Sequence, residues 1–167
     1  MLLRSRYGSP GVEGSRVVPR ARLQGSDERG VAEVDGRKIV AAAIQMSSTP
    51  AKAENLTTAE RLIRETAFAG AELVALPELW SCHGLEEVYR ENAEPIPGPT
   101  TDFLSGLALE FGVWLLGGSI LEGEPGAERL SNTSTCFDPS GELAAVYRKI
   151  HLFDANVQYQ IYKLFPV

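Results

Sequence analysis

A chain of 167 residues can bury one domain-sized core but not two comfortable ones. Its 44% hydrophobic and 23% charged content is ordinary for a soluble globular protein. No run approaches the roughly 18 consecutive apolar residues of a membrane-spanning helix, and a net charge of −6 does not suit a nucleic-acid partner, which calls for a basic face.

The charge is uneven. Residues 1–26 carry Arg4, Arg6, Arg16, Arg20 and Arg22 against Glu13, a net of +4, which leaves −10 for the rest. Twelve of residues 1–36 are Gly, Pro or Ser, and apolar residues there keep no period of 2 or 3.6. Such a segment buries too little apolar surface to offset its ordering entropy, so 1–36 reads as a disordered leader. Its Arg-rich, acid-poor character also fits an organellar transit peptide, although Gly8, Pro10, Gly11 and Gly14 interrupt any amphipathic helix. The main expectation is therefore a cytoplasmic protein, with an organelle as the minor alternative. Cys82 and Cys136 form no CxxC pair and no disulfide framework, and read as reduced thiols.

From Lys38 the pattern becomes that of a folded domain, expected over 37–157. Ile39 to Ile44 is a short apolar run suited to a strand covered on both faces. Thr49-Pro50 offers a helix start, and Leu56, Ala59, Leu62, Ile63 and Ala67 recur at three- and four-residue spacing up to a stop at Gly70. Leu73 to Leu76 is a second buried strand, so strand, helix and strand form a βαβ unit with parallel neighbours. A loop with Pro95, Pro97 and Pro99 follows. Phe103, Leu104, Leu107, Ala108 and Phe111 then mark a second amphipathic helix ended by Gly112.

Val113 to Ile120 reads as a third strand, and Gly123–Ala127 as a polar turn. Thr133–Phe137 and Leu143–Tyr147 read as a hairpin through Asp138-Pro139-Ser140-Gly141, which suits a type I turn. The fold class is α/β, a sheet with helices on at least one side.

Two positions invite chemistry. Glu78, in Leu76-Pro77-Glu78-Leu79-Trp80, follows the second strand, and open α/β sheets bind ligands at the carboxyl ends of their strands. Beside Trp80 and apolar neighbours its pKa could be raised, which would suit a general base. An ordinary surface glutamate at a strand end fits the same position. Lys149, in Tyr147-Arg148-Lys149-Ile150-His151-Leu152-Phe153, also lies just beyond a strand. There an ammonium could stabilise an oxyanion, or be plain surface charge. Adjacent Cys82-His83 lack the further partners a metal needs, and Gly117-Gly118 lacks the context of a nucleotide-binding loop. No cofactor or metal is expected.

Four stretches, in order and spacing, resemble the nitrilase superfamily, or carbon–nitrogen hydrolase family. They are Ala43-Ile44-Gln45-Met46, Gly70-Ala71-Glu72-Leu73-Val74-Ala75-Leu76-Pro77-Glu78, Leu116-Gly117-Gly118-Ser119-Ile120, and Asp138-Pro139-Ser140-Gly141-Glu142 running to Tyr147-Arg148-Lys149-Ile150-His151-Leu152-Phe153-Asp154. The resemblance covers roughly 37–157 and implies part of an αββα sandwich with a Cys–Glu–Lys mechanism. Glu78 then matches the general base and Lys149 the cation that stabilises the tetrahedral intermediate. It further implies a small-molecule amide or nitrile as substrate, a homo-oligomer in the complete form, and no nucleic-acid or membrane partner.

The family's nucleophile lies on a strand elbow some tens of residues beyond the lysine, past Val167, and neither Cys82 nor Cys136 occupies such an elbow. A second family glutamate between the lysine and that cysteine has no match either. Residues 158–167 depart from the family pattern and read as a divergent tail. An incomplete gene model, a frameshift or a fragment is the expected cause. Within the family, Met46-Ser47-Ser48-Thr49-Pro50 and Arg148-Lys149-Ile150-His151-Leu152 look closest to amidases acting on small ω-amides or deaminated glutathione. The alternative is a non-catalytic homologue that binds other subunits or a small ligand.

Overall fold

The computed structural model describes residues 39–124, 127 and 129–152, together with the backbone of 16–21, 155–157 and 160–162. Most of the expected leader and of the tail therefore lies outside the described residues. The backbone strand Arg16–Ala21 (β1), which falls inside 1–36, pairs antiparallel with Ala41–Gln45 (β2). A segment with no apolar period thus contributes a strand through main-chain pairing.

The βαβ unit forms as the pattern demands. After β2 comes the helix Lys52–Phe68 (α1), then Leu73–Ala75 (β3), which pairs parallel with β2. The helix begins two residues beyond Thr49-Pro50 because the Asn55 amide takes over the entry turn. Asn55 Oδ1 accepts from Thr49 N–H at 3.0 Å, and its Nδ2 donates to Thr49 O at 2.8 Å and to Ser81 O at 2.9 Å. Gly70, at φ 88°, reverses the chain after the last turn.

Ahead of the Pro-rich loop lies a helix the sequence did not announce, Glu86–Asn92 (α2). It buries only Tyr89 and is laced by an Arg90–Glu86 ion pair one turn apart, so it shows no apolar stripe. Next is Pro99–Phe111 (α3), with Pro at its first position and Gly112 in the left-handed conformation at its end. Buried Glu94 reaches its first turn, where Thr100 N–H donates to Glu94 Oε1 at 2.7 Å, and Glu94 Oε2 meets Lys52 Nζ at 2.5 Å.

The stretch Val113–Ile120 is not one strand. It breaks into Trp114–Leu116 (β4) and Ile120–Glu122 (β5), both on one edge of Ser131–Phe137 (β6), while Leu143–Arg148 (β7) takes the other edge. The break lies at Gly118, which has φ 61° and no space for a side chain: a Cβ there would meet Pro77 O at 2.0 Å. The hairpin turn forms as expected, with Asp138 Oδ1 accepting from the N–H groups of Ser140 at 2.8 Å and Glu142 at 3.1 Å. The sheet runs β1-β2-β3-β4-β6-β5 with β7 on β6, and Ala155–Val157 (β8) pairs with Gln160–Tyr162 (β9) separately.

Ala59, Leu62 and Ile63 of α1 and Leu104, Leu107 and Ala108 of α3 cover one sheet face and pack with Val74, Leu115 and Phe137. Among the described residues, no helix covers the opposite face around β4 and β7. Leu116 registers with Cys136, which registers with Ala145, while Trp114 and Leu116 stay 45% and 40% exposed. Among the described residues, the expected α/β class is therefore present as α1 and α3 laid on one face of the seven-stranded sheet.

Candidate active site

Glu78 stands on a turn that the surrounding chain holds tightly. Parallel β3 ends at Ala75, and Leu76 N–H still donates to Leu116 O at 3.0 Å. The next residues swing over the β4–β5 break. Ser119 N–H donates to Pro77 O at 3.2 Å, Ser119 Oγ accepts from Leu79 N–H at 3.1 Å, and Trp80 Nε1–H donates to Gly117 O at 2.8 Å. Leu79 sits at φ 49°, a left-handed conformation that costs a non-glycine residue about 1 kcal/mol or more. The hydrogen bonds on either side of Leu79 hold this backbone conformation in place.

Sequence reasoning placed Trp80 alongside Glu78. The structure instead sends the indole into the core, fully buried, and leaves the Glu78 side chain 57% exposed.

Lys149 arrives by way of β7, from the opposite edge of β6 to β4 and β5. It is the first residue after β7, its N–H donates to Asn132 O at 2.8 Å, and its Nζ meets Glu78 Oε1 at 2.6 Å. The structure thus brings together two residues 71 apart in the chain, both singled out from sequence. The pair is open to water, so its ion-pair energy is modest, about 1 kcal/mol or less. Its value is geometric and chemical.

Asn132 is the member that the sequence concealed. Only 7% exposed on β6, it donates through Nδ2 to the same Glu78 oxygen, Oε1, at 2.7 Å. The available signal was slight: an asparagine, a poor strand former, one residue ahead of the Thr133–Phe137 run.

The electrostatics correct one expectation. Burial was expected to raise the pKa of Glu78. It is lowered instead, because the hydrogen bond from Lys149 outweighs a partial desolvation that works the other way, and Asn132 adds to the lowering. The carboxyl is therefore held ionised, the form that accepts a proton.

Neither thiol is hydrogen-bonded to this pair. Cys82 is buried beside Tyr89, Leu121 and Leu130, and burial pushes its thiol up. Cys136 is half-buried on β6, with its thiol pushed up by burial and by Asp138. Raised thiols are poor nucleophiles, and neither hydrogen bond to the Glu78 carboxylate comes from them. Among the described residues, no group of three or more His, Cys, Asp or Glu side chains could hold a metal ion. No helix among them is long and apolar enough to cross a membrane.

A second constellation lies one residue away. Glu122 at the end of β5 accepts from Arg148 Nε at 2.6 Å and Nη2 at 2.5 Å, and from Thr133 Oγ1 at 2.7 Å. Register places Thr133 opposite Arg148 on one face of the sheet, so Asn132 and Lys149 share the other. The Glu122–Arg148 pair bridges β5 and β7 across β6, just where Lys149 leaves the sheet.

Comparison with known proteins shows the family. Residues 40–164 match the family described as carbon-nitrogen hydrolase. The omega-amidase NIT2 of Xenopus tropicalis is 46% identical over 114 residues, covering 68% of this chain and 41% of that protein. The omega-amidase NIT2 of Homo sapiens is 45% identical over 116 residues, covering 70% and 41%. Among solved structures, Saccharomyces cerevisiae Nit3, a member of branch 10 of the nitrilase superfamily, aligns with a TM-score of 0.57 at 32% identity, covering 63% of this chain and 41% of that one. The C. elegans NitFhit protein aligns with a TM-score of 0.60 at 25% identity, covering 72% and 30%. The chain spans about two fifths of the length of the curated relatives it matches. It belongs to the carbon–nitrogen hydrolase family of the nitrilase superfamily, and the omega-amidases of Xenopus tropicalis and Homo sapiens are among its relatives.

Proposed function

We propose that this chain supplies the acid–base half of an amidase-type carbon–nitrogen hydrolase acting on small ω-amides. Glu78 is the general base and Lys149 the oxyanion stabiliser, and the nucleophile is a cysteine other than Cys82 and Cys136, supplied in the protein at its relatives' length. The observation that carries this reading is the 2.6 Å contact between Lys149 Nζ and Glu78 Oε1 at the carboxyl end of β3. Support for the substrate class comes from the omega-amidase relatives.

In the proposed cycle Glu78 takes the thiol proton, and the sulfur attacks the amide carbon. Negative charge collects on the carbonyl oxygen beside the Lys149 ammonium. The carbon–nitrogen bond then breaks, and the nitrogen leaves as ammonia with the proton from Glu78. Glu78 next draws a proton from water, which opens the thioester to give the acid and the free thiol. A homo-oligomer is proposed as the working form.

The test is turnover of a small ω-amide by the protein extended to its relatives' length. Glu78→Gln keeps the size of the side chain but cannot accept the proton, so turnover falls by a factor of roughly 100 or more while the melting temperature stays near that of the parent. Parent-like turnover by this variant removes Glu78 from the mechanism. A parent that binds ω-amides without hydrolysing them favours the second reading, a non-catalytic binding homologue, which the lack of a hydrogen bond from either thiol to the pair supports.

A further inference from the structure

We propose that Asn132 is a positioning residue for Glu78: it fixes one carboxylate oxygen, Oε1, so that the other, Oε2, is the atom that takes the proton. This rests on the hydrolase reading above and deepens it.

Three observations converge. Both donors at the site choose the same oxygen, since Asn132 Nδ2 lies 2.7 Å and Lys149 Nζ 2.6 Å from Glu78 Oε1. Among the described residues no hydrogen bond reaches Oε2. Asn132 also holds Lys149 by a separate group, because its main-chain oxygen accepts the Lys149 N–H at 2.8 Å. A single residue of β6 therefore ties the base with its side chain and the cation with its backbone.

The chemistry explains why the lysine alone is not sufficient. An ammonium is a compact charge with rotatable donors on a flexible four-carbon stem, and it donates to whichever carboxylate oxygen turns towards it. A carboxylate whose terminal torsion is free exchanges its two oxygens, because that torsion is broad and two-fold. A planar amide, 7% exposed and fixed in a strand, has no such freedom. An ionised carboxylate only accepts hydrogen bonds, so the amide presents its NH₂. With Oε1 holding two donors, negative charge is concentrated there, and the lone pairs of Oε2 remain open on the exposed side of the pair. Asparagine is also disfavoured in strands and costly to bury unpaired.

Substituting the side chain separates the two roles, since the main-chain bond to Lys149 survives it. The carboxyl carbon of Glu78, assigned by its loss in Glu78→Gln, is titrated by ¹³C NMR in this chain. The expected result is a rise in the Glu78 pKa in Asn132→Ala, a larger rise in Asn132→Asp, where a second carboxylate opposes ionisation, and partial recovery in Asn132→Ser. An Asn132→Ala chain that melts lower but leaves the Glu78 titration in place overturns the proposal, because the residue then only supports the strand.

In the protein extended to its relatives' length, Asn132→Ala is expected to lower kcat about tenfold or more with little change in KM. The acid limb of kcat/KM should move upward with the Glu78 titration. Raised KM at unchanged kcat overturns the proposal. The two failures separate: an unsubstituted protein that hydrolyses no amide removes the hydrolase reading and this role with it, whereas an active one indifferent to Asn132 removes this role alone.

Discussion

The indole N–H of Trp80 donates to the carbonyl of Gly117 at 2.8 Å, joining the turn that carries Glu78 to the break between β4 and β5. The contact is possible because Gly118, next in line, lets Pro77 O come within 2.0 Å of where a Cβ would stand. Carboxylate placement is thus decided by a glycine that touches no reacting atom.

Gly118→Ala is accordingly expected to be damaging twice over. Its φ of 61° is unfavourable for alanine, and the added methyl meets backbone that cannot give way. We expect a loss of about 2 kcal/mol or more in urea unfolding, with the Glu78–Lys149 contact disturbed. A stability within about 0.5 kcal/mol of the parent would show that the turn has slack the geometry denies.

Lys149→Ala addresses the cation. The charge it neutralises grows mainly in the transition state, so in the extended protein kcat should fall far more than substrate binding weakens. Steady-state kinetics on a small ω-amide decide it: a raised KM with kcat intact would make Lys149 a binding residue only.

Acid sensitivity should trace in part to Glu122. Arg148 beside it holds this carboxyl below its ordinary value of 4.5, with Thr133 assisting against a smaller desolvation. A carboxylate with a depressed folded-state pKa adds stability above its unfolded pKa and loses it as pH falls through the folded value. The melting temperature of the parent should therefore drop more steeply below about pH 5 than that of Glu122→Gln, which starts lower at neutral pH. Parallel melting curves across that window would disprove the linkage.

Thr100 offers the opposite sign. Its hydroxyl is buried without a hydrogen-bond partner among the described residues, while its N–H is already satisfied by Glu94. Thr100→Val removes an unpaid desolvation and keeps the branched shape, so stability should rise by about 1 kcal/mol. A lower urea midpoint at unchanged slope would mean that the hydroxyl has a partner after all.

The legible parts of the fold were those coded by neighbours along the chain. Pro99 and Gly112 bracket α3 because a missing N–H suits its first turn and a left-handed residue its exit. Asp138 announces the β6–β7 turn because its carboxylate reaches amides two and four residues on. Glu78 and Lys149 were legible for another reason, since both lie just beyond strands and within motifs of the family.

What escaped depends on distance in the chain. Asn132 meets Glu78 across 54 positions, and no local pattern encodes that. The lowered Glu78 pKa escaped with it, because both groups that lower it come from β6 and the end of β7. The split of Val113–Ile120 is likewise imposed by the Pro77–Trp80 turn pressing on Gly118 from another strand. Helix α2 was missed because a short, charged helix with one buried residue has no apolar stripe to read.

Strand β7 carries one more consequence. Its six residues, Leu143 to Arg148, are all exposed, and its outer edge has no partner strand among the described residues. Five of the six are uncharged, none is proline, and Val146 and Tyr147 stand 41% and 59% exposed. Naked, apolar edges of this kind recruit strands from other molecules and seed fibrillar assembly. The segment that delivers Lys149 to Glu78 is thus the one most prone to misassociation while bare. A single gatekeeper charge such as Val146→Lys, three residues before Lys149, should suppress that hazard and leave the ammonium where it is.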